Sequence, residues 1–265
     1  MITWNVSPEL FKLGPFTIRW YGLLFALGFI IGYEIFVWFY KKENKNKDDL
    51  NDLLWYLILG TVIGARLGHC LFYDPGFYLS HPLEILMVWH GGLASHGGAI
   101  GVLIAAWLYS KKKPDQPFLW LMDRLVIPTA LAGALIRIGN LFNSEIIGMP
   151  THSDWGFIFT RVDNIPRYPT QIFEALGYFT VFLITLYVYK KHFGKYKDGF
   201  IFGLFMTLAF TFRFFIEFLK EDQSAFERGM ILDMGQILSI PFILAGVWLI
   251  WRSLKKTTTD KNSSG

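Results

Sequence analysis

The chain is 265 residues long, 53% hydrophobic and 18% aromatic, with positive mean hydropathy and an excess of four positive charges. That composition does not suit a soluble surface, and apolar runs near the length of a bilayer crossing recur throughout, leaving little room for a separate soluble domain. The one cysteine, Cys70, allows no internal disulfide and carries no information about redox compartment.

Met1–Thr17 contains Pro8, Pro15, Glu9 and Lys12 among apolar residues, which predicts a segment lying along the interface. Met1–Gly14 lacks the basic start, apolar core and small-residue cleavage site of a secretory signal peptide. Seven crossings are predicted at Ile18–Tyr40, Leu53–Tyr73, Leu93–Ser110, Phe118–Phe142, Tyr168–Tyr189, Phe200–Phe218 and Met234–Trp251. The expected fold class is therefore an all-α polytopic membrane protein, organised as one integral membrane domain over 1–254 with a disordered tail at 255–265. No internal repeat is visible.

Loop charge predicts orientation, because lysine and arginine beside membrane helices stay on the cytoplasmic side. The connectors at 41–47, 111–113 and 190–197 and the tail from Arg252 hold fifteen of the twenty-five basic residues. The alternate connectors Asp74–Gly92, Asn143–Arg167 and Leu219–Asp233 hold only Arg161, Arg167, Lys220 and Arg228. The N-terminus is thus expected outside, the C-terminus in the cytoplasm, and 143–167, with Trp155, Gly156 and Pro166, as a small extracytoplasmic cap.

On this topology, nearly all the intramembrane polar residues gather near the outer face. Arg66 and His69 approach the end of span two, and His96 follows the entry of span three. Arg137 and Asn140 end span four, Gln171 and Glu174 begin span five, Arg213 and Glu217 end span six, Gln236 begins span seven, and Tyr21 lies level with them on span one. Glu34 and Arg124 sit near the inner face, where snorkelling accounts for them. Intramembrane charge is costly and marks candidate functional sites. Arg213 and Glu217, four apart, share a helix face as an ion pair, for which helix glue and function are both open. Arg137 and Asn140, three apart, point a fork of donors and an amide the same way, and such a fork suits phosphate. Several arginines in one layer suggest an anionic headgroup, against the plainer reading in which they merely pair with Glu145, Glu174 and Glu217.

His90-Gly-Gly-Leu-Ala-Ser-His-Gly-Gly98 sets four glycines around two histidines. His96 is a candidate proton acceptor near neutral pH or, equally, a hydrogen-bonded support for a glycine-rich re-entry. The six histidines lack metal-site spacing. An anionic-solute transporter would be expected to show repeats and midplane broken helices. A retinal-type receptor would need a lysine in Met234–Trp251, which has none. A non-catalytic anionic-lipid-binding protein would use the same arginines.

Five stretches carry a resemblance: Ile18-Arg-Trp-Tyr-Gly22, Gly-Gly-Leu-Ala-Ser-His-Gly-Gly at 91–98, Arg137-Ile-Gly-Asn-Leu-Phe-Asn-Ser-Glu145-Ile-Ile-Gly148, Arg167-Tyr-Pro-Thr-Gln-Ile-Phe-Glu174 and Arg213-Phe-Phe-Ile-Glu217. With them the chain resembles the bacterial prolipoprotein diacylglyceryl transferases from residue 18 to the Met234–Pro241 segment. Ile136 and Leu141 depart from the family pattern of glycine and phenylalanine, a matter of local packing. The resemblance implies an enzyme of the bacterial inner membrane, working near the periplasmic face. It would move the diacylglyceryl group of phosphatidylglycerol onto the lipobox cysteine of preprolipoproteins, with no metal, organic cofactor or nucleic-acid partner. It implies Arg137 as headgroup ligand, Tyr21, Asn140 and Glu145 as positioning residues, Gly148 as a backbone requirement, and Arg213 as stabiliser of the departing phosphate. His96 is the first choice for general base, with Glu217 and Glu174 as rivals.

Overall fold

The structure is a computed structural model describing residues 1–14, 16–221 and 231–261. The chain forms two compact units, residues 35–122 and residues 1–34 with 123–265. Two helices, α1 (Trp20–Lys42) and α5 (Phe118–Asn143), contribute to both.

Residues 35–122 are built around α2 (Lys47–Phe72) and α4 (Ser95–Lys112). Asn46 starts α2 by accepting the Asp48 amide. The two helices run antiparallel through a seam of glycines. A Cβ on Gly68 would stand 2.7 Å from Gly97 Cα, and one on Gly60 would stand 2.6 Å from Ala105 Cβ. Small residues at four-residue spacing let the backbones touch, which is how membrane helices associate where lipid offers no hydrophobic drive. At the far end of the seam, Tyr109 donates to the Asp49 carbonyl at 2.9 Å and Lys113 pairs with the Asp49 carboxylate. The connector between them folds as α3 (Pro75–Ser80) and two 3-10 turns, Pro82–Leu86 and Val88–His90.

In the other unit, the first nineteen residues form strands rather than a plain interfacial segment: β1 (Ile2–Trp4), then a hairpin of β2 (Glu9–Leu13) and β3 (Phe16–Arg19). Cap strands β4 (Phe157–Phe159) and β5 (Pro166–Arg167) complete a sheet in which β1 pairs parallel with β4, in the register Ile2 to Phe157. Under this sheet Leu141, Ile147 and Phe159 form a small core with Trp4, Phe157 and Ile172 around it. The Trp4 indole N–H donates at 3.0 Å to the Leu141 carbonyl, which also accepts the Ser144 amide at 3.1 Å, tying the sheet to the end of α5. Leu141, one of the two departures from the family pattern, is thus a core residue of the cap.

Helices α6 (Thr170–His192), α7 (Phe200–Ile216) and α8 (Met234–Lys261) follow. The buried Asp123 carboxylate accepts the Gly199 and Phe202 amides at 2.8 and 2.7 Å, capping α7 from α5. Arg124, expected to snorkel, is instead buried and pairs with Asp198 at 3.8 Å. Helix α8 runs on into the segment expected to be a disordered tail, of which 262–265 lie outside the described residues. Residues 222–230 of the third outer connector, with Arg228, also lie outside them.

By length and composition, six of the described helices can cross a membrane, against seven expected. The shortfall is α4, whose 18 residues begin Ser-His-Gly-Gly and end in two lysines. It nevertheless lies against the length of α2, which does qualify. The architecture is an all-α polytopic membrane protein with a small β-containing cap.

Candidate active site

Within residues 1–34 and 123–265, the end of α5, the start of α6 and the end of α7 bring their charges into one continuous ladder. Arg213 Nη2 lies 4.0 Å from Glu217 Oε1, and Lys220 donates to Glu217 Oε2 at 2.9 Å. Lys220 Nζ also lies 3.6 Å from Glu174 Oε1, and Arg137 Nε lies 3.4 Å from Glu174 Oε2. Arg137 Nη1 donates to Asn140 Oδ1 at 3.2 Å, and Asn140 Nδ2 donates to Glu145 Oε1 at 2.7 Å, which Asn143 also reaches. The cations Arg213, Lys220 and Arg137 thus alternate with the anions Glu217, Glu174 and Glu145.

Burial grades the ladder. The Glu174 side chain is fully buried, and no hydrogen bond from the described residues reaches either oxygen, so the flanking cations balance its charge. Arg213 is the most open cation, its side chain 26% exposed against 14% for Arg137 and 5% for Lys220. Carboxylates behind arginines in a site shielded from water fix their orientation in advance, which is what electrostatic stabilisation of a developing anion requires.

Backbone packing holds the ladder in place. Gln171 donates to the Glu145 carbonyl at 2.9 Å. Gly148 gives its amide to Tyr168 and accepts from Arg167 Nη1 at 3.1 Å. A Cβ at Gly148 would collide with the Tyr168 carbonyl and lie 2.9 Å from that of Leu219, so glycine is required by close approach. Tyr21 packs its ring on Gly139, where a Cβ would come within 2.8 Å of Tyr21 Cδ2, and so lies against the end of α5 that carries Arg137 and Asn140. Beyond the ladder, Arg167 holds Asp163 at 2.6 Å and Glu221 at 3.3 Å, so the Asp163 carboxyl lies below the usual carboxylate range.

His96 belongs to residues 35–122, in the first turn of α4. Its ring is exposed and receives no hydrogen bond from the described residues, unlike the hydrogen-bonded support considered above. That support comes from Arg66. The Arg66 guanidinium donates to the main-chain carbonyls of Glu84, Ile85, Gly91 and Gly92, which removes it from the set of headgroup candidates. Gly91 and Gly92 adopt φ of 86° and 71°, the left-handed region that favours glycine.

Sequence reasoning missed Lys220. It read as one of few basic residues in an outer connector, although its spacing of three from Glu217 was available as a signal. No group of three or more potential metal-binding side chains occurs among the described residues.

The fold and the ladder together define a multi-pass membrane protein that gathers alternating basic and acidic side chains at one end of α5, α6 and α7. The profile of one family, prolipoprotein diacylglyceryl transferase, matches residues 8–252. Proteins called phosphatidylglycerol–prolipoprotein diacylglyceryl transferase are similar over nearly the whole chain. The one from Tolumonas auensis is 50% identical, covering 97% of this chain and 99% of its own length. Those from Chloroherpeton thalassium and Porphyromonas gingivalis are 49% and 47% identical, each covering 99% of this chain and 98% of its own. The chain belongs to the prolipoprotein diacylglyceryl transferase family.

Proposed function

We propose that this protein transfers the diacylglyceryl group of phosphatidylglycerol to the lipobox cysteine thiol of preprolipoproteins. The observation that carries this reading is the ladder linking Arg137 to Arg213, in a chain that matches the named transferases end to end. Sulfur attacks the glycerol carbon, a thioether forms, and the carbon–oxygen bond to phosphate breaks to release glycerol phosphate. Arg137 grips the phosphate, oriented by Asn140 and Glu174, while Glu145 and Tyr21 shape the headgroup site. Arg213, with Glu217 behind it, takes up charge on the departing phosphate. His96 receives the thiol proton, a role supported by its exposed ring. Glu174 is the weaker rival, because a fully buried carboxylate between two cations is placed to position rather than to exchange protons. The working face is the outer side of the bacterial inner membrane, with the N-terminus outside. The asymmetry of basic residues between alternate connectors supports this orientation.

The test is purified protein in phosphatidylglycerol vesicles with a lipobox peptide, read by mass spectrometry. The peptide should gain one diacylglyceryl group with the wild type. Arg137→Ala and Arg213→Ala should each lose on the order of a hundredfold or more in rate. An unmodified peptide with folded wild-type protein overturns the reading. Near-normal turnover by His96→Gln, with Arg137→Ala inactive, removes His96 from the mechanism alone.

A further inference from the structure

The connector between α2 and α4 carries a surface that the transfer chemistry does not use. Leu79, Leu83, Leu86 and Trp89 are each at least 70% exposed, and Leu93 is 57% exposed. Between Pro75 and Leu93 the one carboxylate or ammonium-type charge is Glu84, and it pairs with His90 at 3.0 Å. So many open apolar side chains with so little charge do not suit water.

Beneath this surface lies Arg66, only 3% exposed. It donates to Ile85 at 3.0 Å and to Gly92 at 3.3 Å, caps the carbonyls of Glu84 and Gly91, and lies 5.0 Å from the Tyr78 ring. One guanidinium therefore satisfies four main-chain carbonyls of an irregular segment, from the protein side. Irregular backbone is tolerated at membrane depth when its polar groups are met in this way. The apolar side chains also continue an existing lipid-facing surface. Along α2, a helix long and apolar enough to cross the bilayer, Leu59, Ile63, Leu67 and Leu71 form an exposed stripe at four-residue spacing that leads into the connector.

We propose that residues 75–93 form a strap lying in the membrane plane. Its leucines and Trp89 are immersed in the acyl-chain region of the leaflet at the C-terminal end of α2, and Arg66 clamps its backbone from below. The partner of this surface is lipid. The strap is independent of the proposed transfer reaction and rests on the membrane-crossing helices alone.

The experiment uses the full chain with Cys70→Ala, and single cysteines at Leu83→Cys, Leu86→Cys and, as a water-facing control in the cap, Ser153→Cys. Each carries an environment-sensitive fluorophore in phosphatidylglycerol and phosphatidylcholine vesicles. Labels at 83 and 86 should emit at shorter wavelength than the label at 153, be quenched by acyl-chain nitroxides, and respond little to iodide. Iodide quenching equal to that at 153 overturns the proposal. So does shielding that appears only when a lipobox peptide is added, because the surface would then belong to the preprotein. Arg66→Lys, which replaces a fork reaching four carbonyls with a single ammonium, should shift the labels toward water while leaving the 153 label unchanged. The readout is label environment, so failure here leaves the transfer reading untouched.

Discussion

At Glu174 a carboxylate with no exposed surface stands between Arg137 and Lys220, and the three charges depend on one another. Removing one member of a buried charged set typically costs about 3–5 kcal/mol, because its partners remain buried without compensation. Glu174→Gln preserves shape but not charge, so it should lower the unfolding free energy in detergent by that order while also slowing transfer. Glu174→Gln with Lys220→Met should unfold less readily than the sum of the single changes implies, since both halves of the pair are gone. Additive losses would show that the two side chains do not act as a unit. At this scale the sequence exposed most of the ladder, because Arg137, Asn140, Arg213 and Glu217 lie at helical spacing within apolar runs. It left Lys220 half visible, since Glu217 stands three residues before it but Glu174 reaches it from another helix. It also misplaced Arg66, whose partners are carbonyls and leave no mark in side-chain chemistry.

Most ends of the helices predicted from hydrophobic runs were legible to within a few residues, because a crossing helix announces itself by length. Helix α2, however, begins at Lys47 rather than Leu53, and α8 runs to Lys261 rather than Trp251, where polar turns add no hydropathy. The five short strands and α3 escaped. Strand β1 is three residues long, and its partner lies near residue 157, so no local pattern reveals it. Helix α4 trades apolar side chains for glycine where it meets α2, which lowers its hydropathy while tightening its packing. Within the cap, Arg167 and Asp163 form a close charged pair at 2.6 Å. Arg167 holds the Asp163 carboxyl below its ordinary value of about 4. A lowered folded-state pKa contributes stability that is present above the unfolded value and is lost as pH falls through the folded one. The cap should therefore resist pepsin near pH 4 and open to it as the pH is lowered further. Asp163→Asn should be cut across that whole range, and protection equal to wild type would dismiss the pair as the acid-sensitive fastening.

For the whole molecule, the alternation of basic and nearly uncharged connectors is a statement about sidedness. Cysteines placed at Ser153 and at Lys195 test it directly: in intact cells a membrane-impermeant maleimide should modify the first and spare the second until the membrane is broken. Modification of both from outside would dissolve the proposed orientation. Apolar helices fix that the chain crosses a membrane but not in which direction, so sidedness is legible through loop charge alone.

The parallel pairing of Ile2–Trp4 with Phe157–Phe159 also sets an order of events during biosynthesis. At about 5–20 residues per second, the first strand leaves the ribosome roughly ten to thirty seconds before its mate exists. Until then Trp4 has no Phe157 to pack against, and the sheet over α5 cannot close. Residues 2–4 of the nascent chain must wait, without this partner, for residues 157–159 to arrive. The lid that finishes the molecule is thus fastened by a strand made well before its mate.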